Sequence, residues 1–160
     1  MRSATSDLLG EEAVLYKDKI NFKLPGGDGF ELHQDQQAGW GTYTDFFITA
    51  LVSIDAATEE NGCLHYGLGS HREPVLEHTA PEDAPFNLQV PTDVAKKYPM
   101  TPAPVPRGGV SIHHGNTLHK SSANCSAHPR RAVTFHFLRN DAELVEPALK
   151  YDPSHSVKVS

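Results

Sequence analysis

The sequence predicts a mainly β protein, an antiparallel barrel or jelly roll with a few short helices, and three observations carry that prediction. Short runs of β-branched, aromatic and alternating residues recur along the chain: Ile20 to Leu24, Phe46 to Ile54, Cys63 to Tyr66, Val110 to His114 and Ala132 to Leu138. Turn-forming clusters separate them, most plainly Pro25-Gly26-Gly27-Asp28-Gly29 and Glu59-Glu60-Asn61-Gly62. Helical signals are few and short. A chain of 160 residues is long enough for one core and short for two, so residues 1–160 are expected to form a single domain.

The elements follow in order. A short helix is expected from Ser6 to Glu12, with Ser6 or Asp7 as its cap and Gly10 limiting its length. Ile20 to Leu24 alternates apolar and polar residues as a half-buried strand does, and the turn after it delivers the chain to Glu31-Leu32-His33-Gln34-Asp35. Gln36 to Gly41 reads as a glycine-flanked loop, and Phe46 to Ile54 as the strongest strand. From Pro74 to Pro106 alternation disappears and eight of the twelve prolines fall there, so a long loop with one short helix near Asp93 to Lys97 is expected. Loops of that length are commonly lids or binding loops, and this one is expected to cover the site. Strands resume at Val110 to His114 and Ala132 to Leu138, with no internal repeat and no low-complexity segment.

Composition excludes several functions. A net charge of -6, from 14 basic and 20 acidic residues, leaves no basic stripe for nucleic acid. No apolar run approaches the roughly 20 residues of a membrane helix. Cys63 and Cys125 are too few to staple a domain of this size, and no signal-like segment opens the chain, so a reducing, cytoplasmic home is expected.

The chemistry concentrates on His33 and Asp35. Two residues apart on a strand share a face, so this imidazole and carboxylate are expected to converge on one point. A hydrogen-bonded pair would look the same, and His71-Arg72-Glu73 offers a second motif of similar form, although it runs straight into Pro74. A third ligand, His119 from another strand, would complete the two-histidine, one-carboxylate face that suits non-haem Fe(II) and leaves adjacent positions for a bidentate cosubstrate and dioxygen. Arg130, eleven residues beyond His119, would return beside it on an antiparallel strand and could clamp the far carboxylate of a dicarboxylic acid; Arg131 should face the other way. Lys23 could contact cosubstrate or substrate, or simply snorkel to solvent. Gln36, Trp40 and Thr49 lie close enough to the metal pair to line a pocket. The rest of the ten histidines are not expected to be ligands: His113 and His114 close a strand and only one can face inward, His136 packs beneath the site, His71 fixes its own turn, and His65, His78, His128 and His155 are given no role.

Taken together, His33-x-Asp35, Asn61-Gly62-Cys63-Leu64, Gly69-Ser70-His71-Arg72, His119-x-Ser121-x-x-Asn124 and Arg130 resemble, in order and spacing, the phytanoyl-CoA dioxygenase family of Fe(II)- and 2-oxoglutarate-dependent oxygenases, from about Lys19 to Phe137. The resemblance implies a cupin-like double-stranded β-helix, with His33, Asp35 and His119 on iron, Arg130 on the 2-oxoglutarate 5-carboxylate and Ser121 beside it; Lys23 and Thr49 are further candidates there. Family members carry a helical region before the first core strand, where only about eighteen residues stand here. The chain is therefore expected either to be a piece or trimmed form, or to associate with a partner subunit such as a second copy of itself. The expected activity is hydroxylation of a small polar molecule, an amino acid, amine or phosphonate, using O2 and releasing succinate and CO2. Gln36, Gln37, Trp40 and Tyr43 would offer amide groups and aromatic faces to such a substrate, unless the Pro74–Pro106 loop sets specificity instead. The alternative is a cupin-like metal or small-ligand binding protein without turnover.

Overall fold

The computed structural model describes residues 2–37, 44, 46–80, 82 and 89–142. In chain order its elements are α1 (Arg2–Leu9), β1 (Ala13–Lys23), β2 (Phe30–His33), β3 (Ile48–Ser53), β4 (Leu64–Gly67), α2 (Thr92–Lys97), β5 (Met100–Ala103), β6 (Val110–His114), β7 (His119–Ser121) and β8 (Arg130–Arg139), with short 3-10 turns at Asp35–Gln37 and Ser70–Arg72. The strands form two four-stranded antiparallel sheets, ordered β1-β8-β3-β6 and β2-β7-β4-β5, and together they make the jelly roll of a double-stranded β-helix.

Several elements depart from the sequence expectation, each for a physical reason. The first helix starts at Arg2 because Thr5 and Leu9, one turn apart, bury the same face against the sheet. Ser6 lies inside the helix, and its hydroxyl accepts from the Ala13 amide at 3.0 Å, pinning the helix to β1. β1 begins seven residues earlier than alternation suggests, since a register shift between Leu15 and Lys17 breaks the two-residue period there. β5 lies inside the proline-rich stretch expected to be loop. Its Pro102 is tolerated because β5 is the edge of its sheet and pairs only with β4.

Strand register decides which side chains enter the barrel. Arg130 pairs with Lys23, Thr134 with Lys19, and Thr49 with both His136 and His113, so these residues share the inner face of the first sheet. In the second sheet His119 pairs with His33 and Tyr66, and Ser121 with Leu64. Leu118, fully buried, points the other way into a cluster with Leu32 and Val90. A one-residue slip of β7 would expose it and cost about 1.5–3 kcal/mol, which holds the register that turns His119 inward.

The outer face of the first sheet is only partly covered. Leu9 and Ala13 pack on Ile48, Ala50 and Phe137 at one end, while Ile20 and Phe22 at the other remain 56% and 65% exposed. Among the described residues no helix is long and apolar enough to cross a membrane.

Candidate active site

Between the sheets lies a cavity of about 250 Å³ whose lining includes His33, Asp35, His119, Thr49, His113, Ser121, Lys23 and Arg130. At one end His33, Asp35 and His119 bring one ligand atom each to within 4.8 Å of one another, and they are the one such group among the described residues. His71 and Glu73 do not join a cluster: Glu73 is taken by Lys97 and Tyr98.

Both imidazoles are set by their own backbone. His33 Nδ1 lies 2.7 Å from the Glu31 carbonyl and His119 Nδ1 lies 2.9 Å from that of Thr117, so each Nδ1–H donates and each Nε2 presents a lone pair to the cavity. The two Nε2 atoms sit 3.7 and 3.6 Å from Asp35 Oδ1, too far for hydrogen bonds and close enough to share one divalent ion. Burial pushes His119 down to about 3, which keeps it a neutral ligand. Burial also opposes ionisation of Asp35, but the surrounding His119, His113 and His33 outweigh it and hold the carboxyl well below its usual range. This donor set, two imidazoles and one carboxylate, fits Fe(II).

Asp35 reaches this place by a different route from the one the spacing suggests. β2 ends at His33, and Asp35 opens a 3-10 turn. Its Oδ2 accepts from Thr49 Oγ1 at 2.9 Å and faces His113 Nε2 at 3.2 Å, so long-range partners aim the carboxylate.

The opposite end carries two buried cations. Lys23 and Arg130, both 5% exposed, are neighbours across β1 and β8. Lys23 Nζ donates to Ser121 Oγ at 2.8 Å and to the Ser122 carbonyl, and burial, with Arg130 second, pushes it down to about 8. Lysine snorkelling is thereby excluded. Arg130 Nη2 donates to the Gly62 carbonyl at 3.0 Å, while its buried Nε has no partner among the described residues. Two desolvated cations and an orphaned guanidinium N–H fit the distal carboxylate of a dicarboxylate such as 2-oxoglutarate.

Close backbone approaches build this end. A Cβ at Gly62, where φ is +78°, would lie 2.2 Å from the Ser122 carbonyl oxygen, and one at Gly29 would lie 2.0 Å from that of Ser121. Asn124, fully buried, donates to the Lys23 and His128 carbonyls and so ties the loop after β7 to the end of β1. Ser70 accepts from the Leu118 amide at 2.8 Å and donates to the Gly67 carbonyl at 2.6 Å, fixing the start of β7; His71, expected to fix its own turn, is exposed with its ring against His114.

Other candidates stand elsewhere. Arg131 faces outward and pairs with Asp55 through two nitrogens. Thr49 lines the cavity, but its hydroxyl is committed to Asp35 and lies 3.1 Å from His136 Nδ1, an arrangement suited to positioning the carboxylate rather than to holding a cosubstrate. Gln36 does not line the cavity: it is buried, its amide donates to the Thr44 carbonyl and its backbone bonds Gly115. Trp40 and Tyr43 fall outside the described residues. No described residue of the Pro74–Pro106 stretch lines the cavity; Leu76, Val94, Tyr98 and Met100 pack behind the second sheet. Sequence reasoning discounted His113, whose side chain reaches the site. Alternation restricts the inward position to one of His113 and His114 but cannot choose between them without the β3 pairing.

Comparison with known proteins agrees with this geometry. Residues 2–132 match the family model "Phytanoyl-CoA dioxygenase (PhyH)". The chain is 41% identical over 128 residues to a 2-aminoethylphosphonate dioxygenase from uncultured bacterium HF130_AEPn_1, covering 80% of this chain and 47% of that protein. It is 35% identical to a methylphosphonate hydroxylase from Gimesia maris, covering 79% and 45%. The chain thus spans about half the length of these relatives. The crystal structure of EvdO2 from Micromonospora carbonacea var. aurantiaca complexed with 2-oxoglutarate superimposes with a TM-score of 0.77 at 32% identity, over 91% of this chain and 61% of that one. The matched residues 2–132 include the His-Asp-His group, Lys23, Ser121 and Arg130, and the chain belongs to the phytanoyl-CoA dioxygenase family.

Proposed function

We propose that this chain carries the catalytic core of an Fe(II)- and 2-oxoglutarate-dependent dioxygenase that hydroxylates a small polar molecule. The observation that carries this reading is one cavity with a two-imidazole, one-carboxylate donor set at one end and a buried lysine–arginine pair, with the guanidinium Nε unmet, at the other. His33, Asp35 and His119 are the metal ligands in this reading. Arg130 and Lys23 bind the distal carboxylate of 2-oxoglutarate, with the Ser121 hydroxyl, which already accepts from Lys23, completing that end. When bound, iron, 2-oxoglutarate and O2 together supply C–H hydroxylation, with succinate and CO2 as coproducts. The chain's own part is to orient: three ligand atoms hold the metal, and the cations draw the cosubstrate across the cavity toward it.

The relatives named for 2-aminoethylphosphonate and methylphosphonate support a phosphonate as substrate class. Lys19, on the inner face of β1 and lining the cavity, would meet such an anionic end. Two free thiols, Cys63 and Cys125, support a reducing, cytoplasmic setting.

The test is succinate release from 2-oxoglutarate by the Fe(II)-loaded protein, with phosphonates, amino acids, amines and an acyl-CoA supplied in turn. Stimulation by a phosphonate is expected. Stimulation by the acyl-CoA alone would overturn the substrate class, and absence of iron binding would overturn the enzyme reading.

A further inference from the structure

We propose that His113 is a positioning residue which, with Thr49, holds Oδ2 of Asp35 away from the metal position so that the carboxylate offers Oδ1 alone. The inference rests on the metal-site reading above. Asp35 lies beyond the end of β2, so the pleat of the sheet does not aim its side chain. A carboxylate on its own could turn either oxygen, or both, toward an ion.

Hydrogen-bond direction removes that freedom. An ionised carboxylate only accepts, so the Thr49 hydroxyl at 2.9 Å and His113 Nε2 at 3.2 Å must both donate to Oδ2. With its proton on Nε2, a neutral His113 must accept at Nδ1, and the Tyr66 hydroxyl stands 3.0 Å from that atom with Ser111 Oγ 3.4 Å behind it. Thr49 and His113 are register partners on β3 and β6, so the two donors arrive as a pair from the sheet opposite the histidine ligands. His113 is therefore not a fourth ligand: the nitrogen that faces the site carries a proton. The chemical consequence is coordination number. Two imidazole nitrogens and one carboxylate oxygen leave three positions of an octahedron, enough for a two-point cosubstrate and O2, whereas a two-oxygen carboxylate would occupy one of them.

The experiment uses Co(II) as the probe, on the whole chain, without cosubstrate or substrate. Co(II) affinity and the visible ligand-field spectrum are compared for wild type, His113→Ala, His113→Gln and Tyr66→Phe, with thermal unfolding of each apoprotein as the control for folding. The Gln side chain can place an N–H near the Nε2 position. We expect His113→Ala to weaken Co(II) about 10- to 100-fold and to change the spectrum as Oδ2 joins the ion, His113→Gln to stay within about threefold of wild type, and Tyr66→Phe to fall between. If the alanine variant does not fold, His113→Asn, whose amide is too short to reach Oδ2, takes its place. Wild-type affinity and spectrum in a folded His113→Ala, or a Gln variant as poor as Ala, would overturn the role. Wild-type protein that fails to bind Co(II), or binds it equally well as His119→Ala, would instead overturn the metal site and this role with it.

Discussion

The two ends of the cavity are built on opposite principles. At the proposed metal end the protein holds the far side of each donor group: each candidate histidine leans through Nδ1 on a carbonyl two residues before it, and Oδ2 of Asp35 is met by Thr49 and His113. At the other end charge is left over, because Lys23 and Arg130 are buried side by side and the guanidinium Nε has no partner among the described residues. The difference teaches what each end is for. A metal needs donors aimed before it arrives, whereas a dicarboxylate brings its own acceptors, and unmet donors are what make its binding favourable.

The largest effect expected from this contrast is on the metal. Asp35→Ala and His119→Ala should each abolish tight Fe(II) binding while the fold survives, since two remaining ligands hold a labile divalent ion poorly. Equilibrium dialysis with circular dichroism checks both halves of that statement, and full iron occupancy in either variant would mean the donor set is wrongly drawn. Next comes Arg130→Ala, which should leave iron bound but weaken 2-oxoglutarate by about 2–5 kcal/mol. Calorimetric titration in which Arg130→Ala and the outward-facing Arg131→Ala bind 2-oxoglutarate equally would erase the distinction between the two ends.

Geometry at the cation end can be broken without touching a charge. Gly62→Ala should destabilise the protein by about 1–3 kcal/mol, because a Cβ there meets the Ser122 carbonyl and the backbone sits at positive φ. Chemical denaturation measures this, and a neutral result would show that the loop can move away. The smallest expected effect concerns pH. Burial holds Lys23 near 8, so below that value the amine is charged before 2-oxoglutarate arrives, and above it binding must take up a proton. Affinity should therefore fall as pH rises through 8, by at most about tenfold per unit, and the trend should vanish in Lys23→Met. Apoprotein stability should run the other way. A lysine whose folded value lies below its ordinary 10.5 opposes folding when charged, so its penalty is full below about 8 and fades as pH rises toward 10.5.

How much of this was legible in the sequence depends on how local each feature is. The antiparallel β class, the strands around Phe46 to Ile54 and Val110 to His114, and the inward Arg130 beside the outward Arg131 follow from the two-residue period of a strand. β5 was illegible because Pro102 within it and Pro99 and Pro104 beside it signal loop, and only its place at a sheet edge makes Pro102 acceptable. Gln36 shows the converse error. Standing next to Asp35 in sequence suggested a pocket residue, but on the 3-10 turn its side chain is buried and its amide donates to the Thr44 carbonyl.

The sequence by itself determined the candidates: His33, Asp35, His119 and Arg130 stand out by residue type and order, and the family resemblance those motifs carry is what singles them out from the other histidines and arginines. Tertiary structure alone decided how those groups are aimed. Asp35 is oriented by Thr49 and by His113, 78 residues away along the chain, and Lys23 becomes a buried cation only because β8 lays Arg130 beside it and the loop after β7 closes over it. Hydrogen-bond direction and desolvation depend on what lies across the barrel, and no period along one strand encodes that.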